Sequence, residues 1–394
     1  MRSIAVAAET VRFDLATPTD IRFGAGRAAE LPDALAGLGA TNVFVVTGRS
    51  TARAAELRAG LAERGIESTA FGVDGEPSIE TCRAAVDLLL QTGGDAVVGF
   101  GGGSALDVAK AVAVLATSRA DPLDHLEVIG AGRPITERGL PCVAVPTTAG
   151  TGSEVTRNSV LSGSGVKASL RSPLMLPAIA IVDPDLLAGV PANTIAASGM
   201  DALAQVIEPL LSRRANPFTD ALARDGIRRS ARSLRRAYVR GMIAGEVRQD
   251  LAVTSLFGGL CLANAGLGAV HGLAAALGAR LSAPHGAVCA ATLAAAVAVN
   301  RRALRQREPA SPALVRIDEL GCLLTGDTGS GADAAIEWLG KLTSDLQVPG
   351  LRTYGLGDAE IVEVVTAAQR ASSMRSNPVD LTDGEVAEIV QRSL

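Results

Sequence analysis

Aromatic side chains are scarce in this chain: seven Phe, two Tyr and one Trp among 394 residues. The core must then be built mostly from Ala, Val and Leu, and the substrate pocket has few large rings to mark it. Excess positive charge is missing too. A net charge of −4 leaves no basic face on which to argue for nucleic acid. The five cysteines, Cys82, Cys142, Cys261, Cys289 and Cys322, are odd in number and contain no CxxC pair. That spacing argues against a disulfide framework or a zinc ribbon and fits buried thiols in a reducing cytoplasm. The apolar part of residues 1–9 is too short for an export signal, so a cytoplasmic location is expected. No membrane span is expected either. The longest apolar stretch, 259–281, is interrupted by Asn264, His271, Arg280 and five glycines, and reads as buried helices around a polar site.

What is present in abundance is glycine, and one run of it organises the chain: Gly99-Phe100-Gly101-Gly102-Gly103-Ser104, followed by Asp107 and Lys110. Residues 95–100 read as a buried strand and 105–117 as a helix. The join between them has almost no side chain. Backbone N–H groups can therefore approach an anion closely, beside the positive end of the helix dipole. Ser104 is placed as the helix cap with Asp107 in a capping-box position, and Lys110 can reach an anion or a neighbouring carboxylate. A ligand-free strand-to-helix turn is the alternative, because the run is neither a P-loop nor a clean GxGxxG.

Around this run the N-terminal half alternates strand and helix. Residues 13–23 read as a β-hairpin or paired edge strands, 42–47 as a buried strand leading to Gly48, Arg49 and Ser50, and 68–71 as a strand before a helix at 78–92. Residues 142–146 form one more strand. It runs into Thr147, Thr148, Gly150, Thr151, Gly152, Ser153 and Glu154, a loop whose hydroxyls suit a pyrophosphate, a ribose or an amide, although ordinary loops contain the same residues. A strand near 178–182 closes this half. Strand and helix in alternation imply a parallel sheet that binds ligands at its carboxyl edge. Beyond Pro191 strand signals nearly vanish. Helices are expected at 196–211, 218–239, 245–264, around His271, and at 287–304, 311–324, 331–346, 358–370 and 382–392. The expected division is an α/β domain, 1–187, followed by an all-α domain, 188–394.

Two of only three histidines, His271 and His285, sit in apolar helical sequence, while Asp201 and Gln205 lie four apart on one helix face. A carboxylate with two imidazoles is a competent set for Fe(II) or Zn(II). Buried histidines that are merely hydrogen-bonded are the alternative, since spacing alone does not join residue 201 to 271 and 285.

Taken together, five blocks in order resemble the iron-containing (group III) alcohol dehydrogenases. They are Gly101 to Ser104 with Asp107 and Lys110; Pro146-Thr147-Thr148 with Gly150-Thr151-Gly152-Ser153-Glu154; Gly199-Met200-Asp201-Ala202-Leu203; Asn264 to Gly272; and Pro284-His285-Gly286. The resemblance covers about residues 13–390. It implies a Rossmann-like NAD(P) domain, a helical domain and a site between them, in a dehydroquinate synthase-like fold. It further implies a small alcohol or carbonyl substrate, a homodimer, and a divalent metal on one aspartate and three histidines. Asp201, His271 and His285 match three of those ligands, and Gln205 stands where the fourth is usually histidine. A further family histidine is replaced by Ala275. Fe2+ is the ion expected, with Zn2+ or a metal-free enzyme of the maleylacetate reductase type as alternatives.

Asp201, His271, His285 and Lys167 are accordingly the candidate catalytic residues, with Lys167 near a lysine that recurs in the family. Gly48, Arg49, Ser50, Gly101, Gly102, Gly103, Ser104, Asp107, Thr147, Thr148, Thr151 and Ser153 are the candidate cofactor residues. NAD-preferring members tend to carry aspartate after the second strand, whereas Gly48 and Arg49 remove that repulsion and offer a cation, which favours NADP(H). Arg213 and Arg214 would favour an anionic substrate if they faced the cleft. Two rival functions are a lyase of the dehydroquinate synthase type and a non-catalytic nucleotide-binding protein.

Overall fold

The computed structural model describes residues 13–18, 20–163, 166–278, 280–281 and 283–394. Residues 1–9, read above for an export signal, and Thr19 lie outside them. The chain starts its sheet with β1 (Asp20–Phe23), β2 (Asn42–Gly48), β3 (Glu67–Val73), β4 (Ala96–Gly101) and β5 (Cys142–Pro146). Next come β6 (Asn158–Gly163) and β7 (Val166–Arg171), an antiparallel hairpin apart from the sheet, and then β8 (Ile179–Val182), which rejoins it. The six-stranded order is β1-β8-β5-β4-β2-β3, with every pairing parallel.

Apolar runs such as Val43-Phe44-Val45-Val46 follow from helices covering both faces. Val43 and Val45 pack with Leu31 and Leu35 of α1 (Leu31–Gly37) and Leu61 of α2 (Ala55–Glu63). Phe44 and Val46 point the other way, as the period of two requires, towards Cys82 and Val86 of α3 (Ile79–Thr92) and Val108 and Val112 of α4 (Gly103–Ser118). A single turn, α5 (Pro122–His125), follows.

Three expectations change here. The hairpin at 13–23 does not form: residues 13–18 carry no strand, and β1 pairs in parallel with β8, Asp20 opposite Ile179. The partner of this edge strand lies some 160 residues away in sequence, which no local pattern announces. Ser104 is not the cap, because α4 begins two residues earlier than expected, at Gly103, behind an extended Gly102. Asp107 closes no capping box; its carboxylate accepts from Ser153 Oγ at 2.5 Å and Val160 N at 2.8 Å.

Lys110 meets Asp107 at 3.2 Å and turns fully inward. Its Nζ donates to Ser153 O at 2.9 Å, Thr156 Oγ1 at 3.0 Å and Asn158 O at 2.5 Å. A buried ammonium is tolerable only with such partners. The pair thus fastens the loop after β5, and the hairpin beyond it, to α4.

The second half is helical: α6 (Ala192–Leu211), α7 (Pro217–Arg240), α8 (Gly245–Ala265), α9 (Ala269–Gly278), α10 (His285–Arg307), α11 (Pro312–Thr325), α12 (Ala332–Asp345), α13 (Ile361–Arg370) and α14 (Asp383–Arg392). The apolar stretch 259–281 is broken as expected, with α8 and α9 meeting at 98°. Gly266, at φ 71° and ψ −176°, makes the turn in a conformation that side chains avoid. Among the described residues α10 alone has the length and hydropathy of a bilayer span. It packs against α6, α9 and α12, and 67% of its apolar window is buried inside the protein.

The two halves meet where α8 touches the loop after β5. A Cβ on Gly259 would lie 2.7 Å from Val155 Cγ2 and collide with the backbone of Gly152, itself at φ +59°. Gly259→Ala is therefore expected to destabilise the protein by about 2 kcal/mol, within the range for overpacking, read as a lowered unfolding midpoint.

Candidate active site

The parallel register aligns the strand ends in one row. Gly48 lies opposite Val73, Thr47 opposite Phe100, and Gly101 opposite Pro146. The chain runs from β2 outward to β3, then returns to the far side of β2 for β4 and β5, so the order reverses between β2 and β4. Ligands of such sheets bind at that crevice. Here a Cβ on Gly101 would sit 2.7 Å from Ala105 Cβ and 3.2 Å from Gly48 N, so glycine is required by close approach. Thr148 and Thr151 border the run: Cβ atoms on Gly102 and Gly103 would lie 3.2 Å from Thr148 Oγ1 and 2.9 Å from Thr151 Oγ1. Bare backbone at a helix start is thus edged by two hydroxyls.

The other candidates divide. Thr147 is buried, and its N donates to Gly101 O at 2.9 Å, which prolongs the pairing of β4 and β5. Ser153 and Asp107 are spent on each other. Gly48 ends β2, with Ser50 exposed just after it. Arg49 is exposed, with its Nε 2.7 Å from Asp74 Oδ1.

In the helical half α6 supplies Asp201, Gln205 and Glu208, α9 supplies His271, and α10 opens with His285. These distant positions do converge. His271 Nε2 lies 3.1 Å from Asp201 Oδ1 and His285 Nε2 lies 3.8 Å from the same oxygen, while the two rings are 5.5 Å apart. Asp201 and His271 are buried; the His285 side chain is 35% exposed and forms the open side.

Two members of the cluster went unnoticed in the sequence. Glu208 accepts from His271 Nδ1 at 2.6 Å and from Val270 N at 2.7 Å, which fixes the ring and leaves Nε2 for a ligand. Its signal was available: it lies seven residues after Asp201 on one helix face. Cys289, four residues after His285, places Sγ 3.7 Å from His285 Nε2 and 3.9 Å from His271 Nε2.

Burial raises the Asp201 carboxyl, yet the hydrogen bond from His271 and the nearby imidazoles hold it below the usual carboxylate range. Burial likewise works against an imidazolium at His271, but Cys289, Asp201 and Glu208 together raise it well above its ordinary value; His285 is raised by Cys289 and Asp201. The cluster therefore draws positive charge, which protons or a metal ion can supply.

The donor atoms of Asp201, His271, His285 and Cys289 all lie within 4.8 Å of one another. Gln205 Nε2 donates to Gly150 O at 3.3 Å, while its buried Oε1 has no hydrogen-bond partner in the protein. A carboxylate, two imidazoles and a thiol within 4.8 Å of one another fit a divalent cation.

Lys167 Nζ instead pairs with Glu76 at 2.8 Å, its stem against Gly278 at the end of α9. Arg213 is engaged by Asp380 and Glu308, and both it and Arg214 are exposed. Ala275 is exposed on α9.

Comparison with known proteins bears on both halves. Residues 18–184 match the profile described as iron-containing alcohol dehydrogenase, and residues 195–394 match that of the C-terminal part of the Fe-containing alcohol dehydrogenase family. The chain is 35% identical over 337 residues to 1,3-propanediol dehydrogenase of Citrobacter freundii, covering 84% of this chain and 85% of that one. A crystal structure of 1,3-propanediol oxidoreductase superposes with a TM-score of 0.88 at 31% identity, covering 97% of this chain and all of that one. Sulfoacetaldehyde reductase from Bifidobacterium kashiwanohense, solved with NAD+, superposes with a TM-score of 0.84 at 28% identity, over 97% and 98% of the two chains.

Proposed function

Because the chain belongs to the iron-containing alcohol dehydrogenase family, with its dehydroquinate synthase-like fold, and is an oxidoreductase acting on CH–OH groups, we propose that it passes hydride between NADPH and a small alcohol or carbonyl compound with the help of a divalent metal. The lyase and the non-catalytic readings fall away with that membership. The family implies a nicotinamide cofactor and a metal; the choice of NADPH and the roles of individual residues are the proposal.

The observation that carries it is the hydrogen bond from Gln205 Nε2 to Gly150 O. Gln205 is one helical turn from Asp201, and Gly150 belongs to the loop whose Thr148 and Thr151 edge the glycine run. Ser255 of α8 grips the same glycine through Gly150 N at 2.8 Å. One loop thus links the candidate cofactor edge to the helix that carries Asp201, which supports hydride transfer between the two.

Gly101, Gly102 and Gly103 would bind the cofactor's phosphates through backbone N–H groups at the start of α4, with the hydroxyls of Thr148 and Thr151 beside them. Asp201, His271 and His285, with or without Gln205, would hold the metal. That ion supplies Lewis acidity towards the substrate oxygen. Glu208 keeps the His271 proton on Nδ1, so that Nε2 stays a lone-pair donor. Buried Asp201 and His271 close the inner side to water, and substrate enters past His285.

Arg49 carries the preference for the extra phosphate of NADPH. Its ion pair with Asp74 is exposed and worth at most about 1 kcal/mol, so the guanidinium is free to exchange partners. Arg49→Ala is expected to raise KM for NADPH about tenfold and leave that for NADH unchanged, the size of one charge-assisted hydrogen bond. Initial rates with both cofactors against a panel of small aldehydes test the function and the preference together. Equal losses with the two cofactors would overturn the preference; no oxidation of either cofactor would overturn the function.

A further inference from the structure

We propose that Cys289 is itself a metal ligand, so that Asp201, His271, His285 and Cys289 form a one-sulfur site that selects Zn(II) over Fe(II). The inference rests on the metal-assisted reading above and deepens it by naming the donor set and the ion.

The first argument is geometric. Four ligands at the corners of a tetrahedron, with zinc–nitrogen and zinc–oxygen distances near 2.0 Å and zinc–sulfur near 2.3 Å, stand roughly 3.3–3.6 Å apart along its edges. The measured separations are 3.1 and 3.8 Å from Asp201 Oδ1 to the two imidazoles, and 3.9 and 3.7 Å from Cys289 Sγ to the same two nitrogens. Shifts of up to about half an ångström bring these four edges to those values, and the other two lie within 4.8 Å.

The second argument is the way the thiol is held. Cys289 and His285 lie four apart in the first turns of α10, so one helix delivers both donors to one face. Cys289 has no exposure, and its Sγ lies within hydrogen-bonding range of both histidine Nε2 atoms. By contrast, Cys261 Sγ donates to Thr219 O at 3.4 Å, an ordinary end for a buried thiol.

The third argument is charge and softness. Two anionic donors, the Asp201 carboxylate and a Cys289 thiolate, would balance the charge of a dication beside two neutral imidazoles, and the substrate oxygen would join as a fifth ligand from the open His285 side. Ion binding breaks the S–H bond, forms a metal–sulfur bond and releases the thiol proton to solvent, with no change of oxidation state. Thiolate is a soft ligand that favours zinc, and iron(II) already lies below zinc in intrinsic affinity. Gln205 offers only a neutral amide oxygen. Its Nε2 is committed to Gly150, which makes it a positioning residue between the loop and the cluster.

X-ray absorption at the zinc edge of the full-length, zinc-loaded enzyme reads the first shell directly. One sulfur at about 2.3 Å is expected, and a shell of nitrogen and oxygen alone overturns the proposal. The wild-type spectrum decides this without any variant. A second readout is cobalt substitution: the wild type should show the near-ultraviolet thiolate-to-cobalt band, Cys289→Ser should lose it, and Gln205→Ala should keep it. Zinc affinity should fall at least about a hundredfold in Cys289→Ser, beyond what loss of an outer hydrogen bond costs. A band that survives in Cys289→Ser overturns the assignment. Stoichiometric metal in a sulfur-free shell, with NADPH oxidation intact, would remove this inference and leave the function standing. Full activity with no ion bound would remove the metal-assisted reading itself.

Discussion

Asp201→Asn should release the bound metal and lower kcat/KM by at least about 10³-fold, the several kcal/mol that a Lewis-acidic centre contributes to such a step. Asp201 Oδ1 is the one oxygen placed against both imidazoles, 3.1 Å from His271 and 3.8 Å from His285, and it is buried. Asparagine keeps the shape but loses the charge, and half of its rotamers turn an N–H₂ group towards the space the ion needs. The packing around residue 201 is unchanged, but the raised histidines lose an anionic partner, so a loss of folding stability is expected beside the loss of activity. Elemental analysis of the purified variant, NADPH oxidation before and after chelation, and a thermal melt separate these contributions. A metal-free Asp201→Asn enzyme with wild-type turnover would move the electrophile to the side chains of His271 and His285, as in a metal-independent reductase.

Much of this arrangement is readable before any coordinates, for definite reasons. Strands such as Val43-Phe44-Val45-Val46 are apolar without interruption because both faces of the sheet are covered, and the glycines at 101–103 are demanded by approach to Ala105, Gly48, Thr148 and Thr151. Local pattern and local cause coincide there. The helices of the second half follow for the same reason, with ends within a few residues of expectation. What escapes a reading by residue type is what long-range packing decides. Residues 158–171 are too polar to announce a hairpin, yet Leu161, Ala168 and Leu170 close over α4. Lys110, two turns into α4, is readable as a partner for an anion or a neighbouring carboxylate; it does meet Asp107, but its hydrogen bonds go to the loop after β5 and the start of β6, which the sequence does not announce.

The site itself shows the same division. Asp201 and His271 are 70 residues apart, and their meeting depends on the bend at Gly266 that sets α9 at 98° to α8. Residue type suggested the metal cluster; only the fold joins it. Glu208 and Cys289 were hidden differently. Each follows a candidate ligand at helical spacing, but a glutamate before a proline and a lone cysteine in an alanine-rich helix carry no pattern of their own. Scanning from each candidate ligand at i+4 and i+7 would have found both.

Glu154→Gln should make the protein more stable at pH 8 by about 3 kcal/mol and leave it unchanged at pH 4.5 and below. Glu154 is 1% exposed in the short turn after Gly152, and burial pushes its carboxyl from an ordinary 4.5 up to about 7 against the weaker pull of its own turn and of Lys110. The sign follows from proton binding. Below pH 4.5 the group is protonated in both folded and unfolded chains. As the pH rises the unfolded chain gives up its proton first, so the folded state loses stability steadily until it too ionises near pH 7. Above that the loss is complete, and a shift of this size corresponds to the 3 kcal/mol quoted. Glutamine has nearly the same shape and no charge to strand, so its unfolding midpoint should lack this component of the decline. Because Ser153, the neighbour of Glu154, is bonded to both Asp107 and Lys110, the same loop that edges the glycine run should loosen as Glu154 ionises. Wild type and variant melted side by side at intervals between pH 4.5 and 8 give the answer. Parallel curves would show that Glu154 is ionised throughout this range, with a counter-charge or solvent that burial does not deny it.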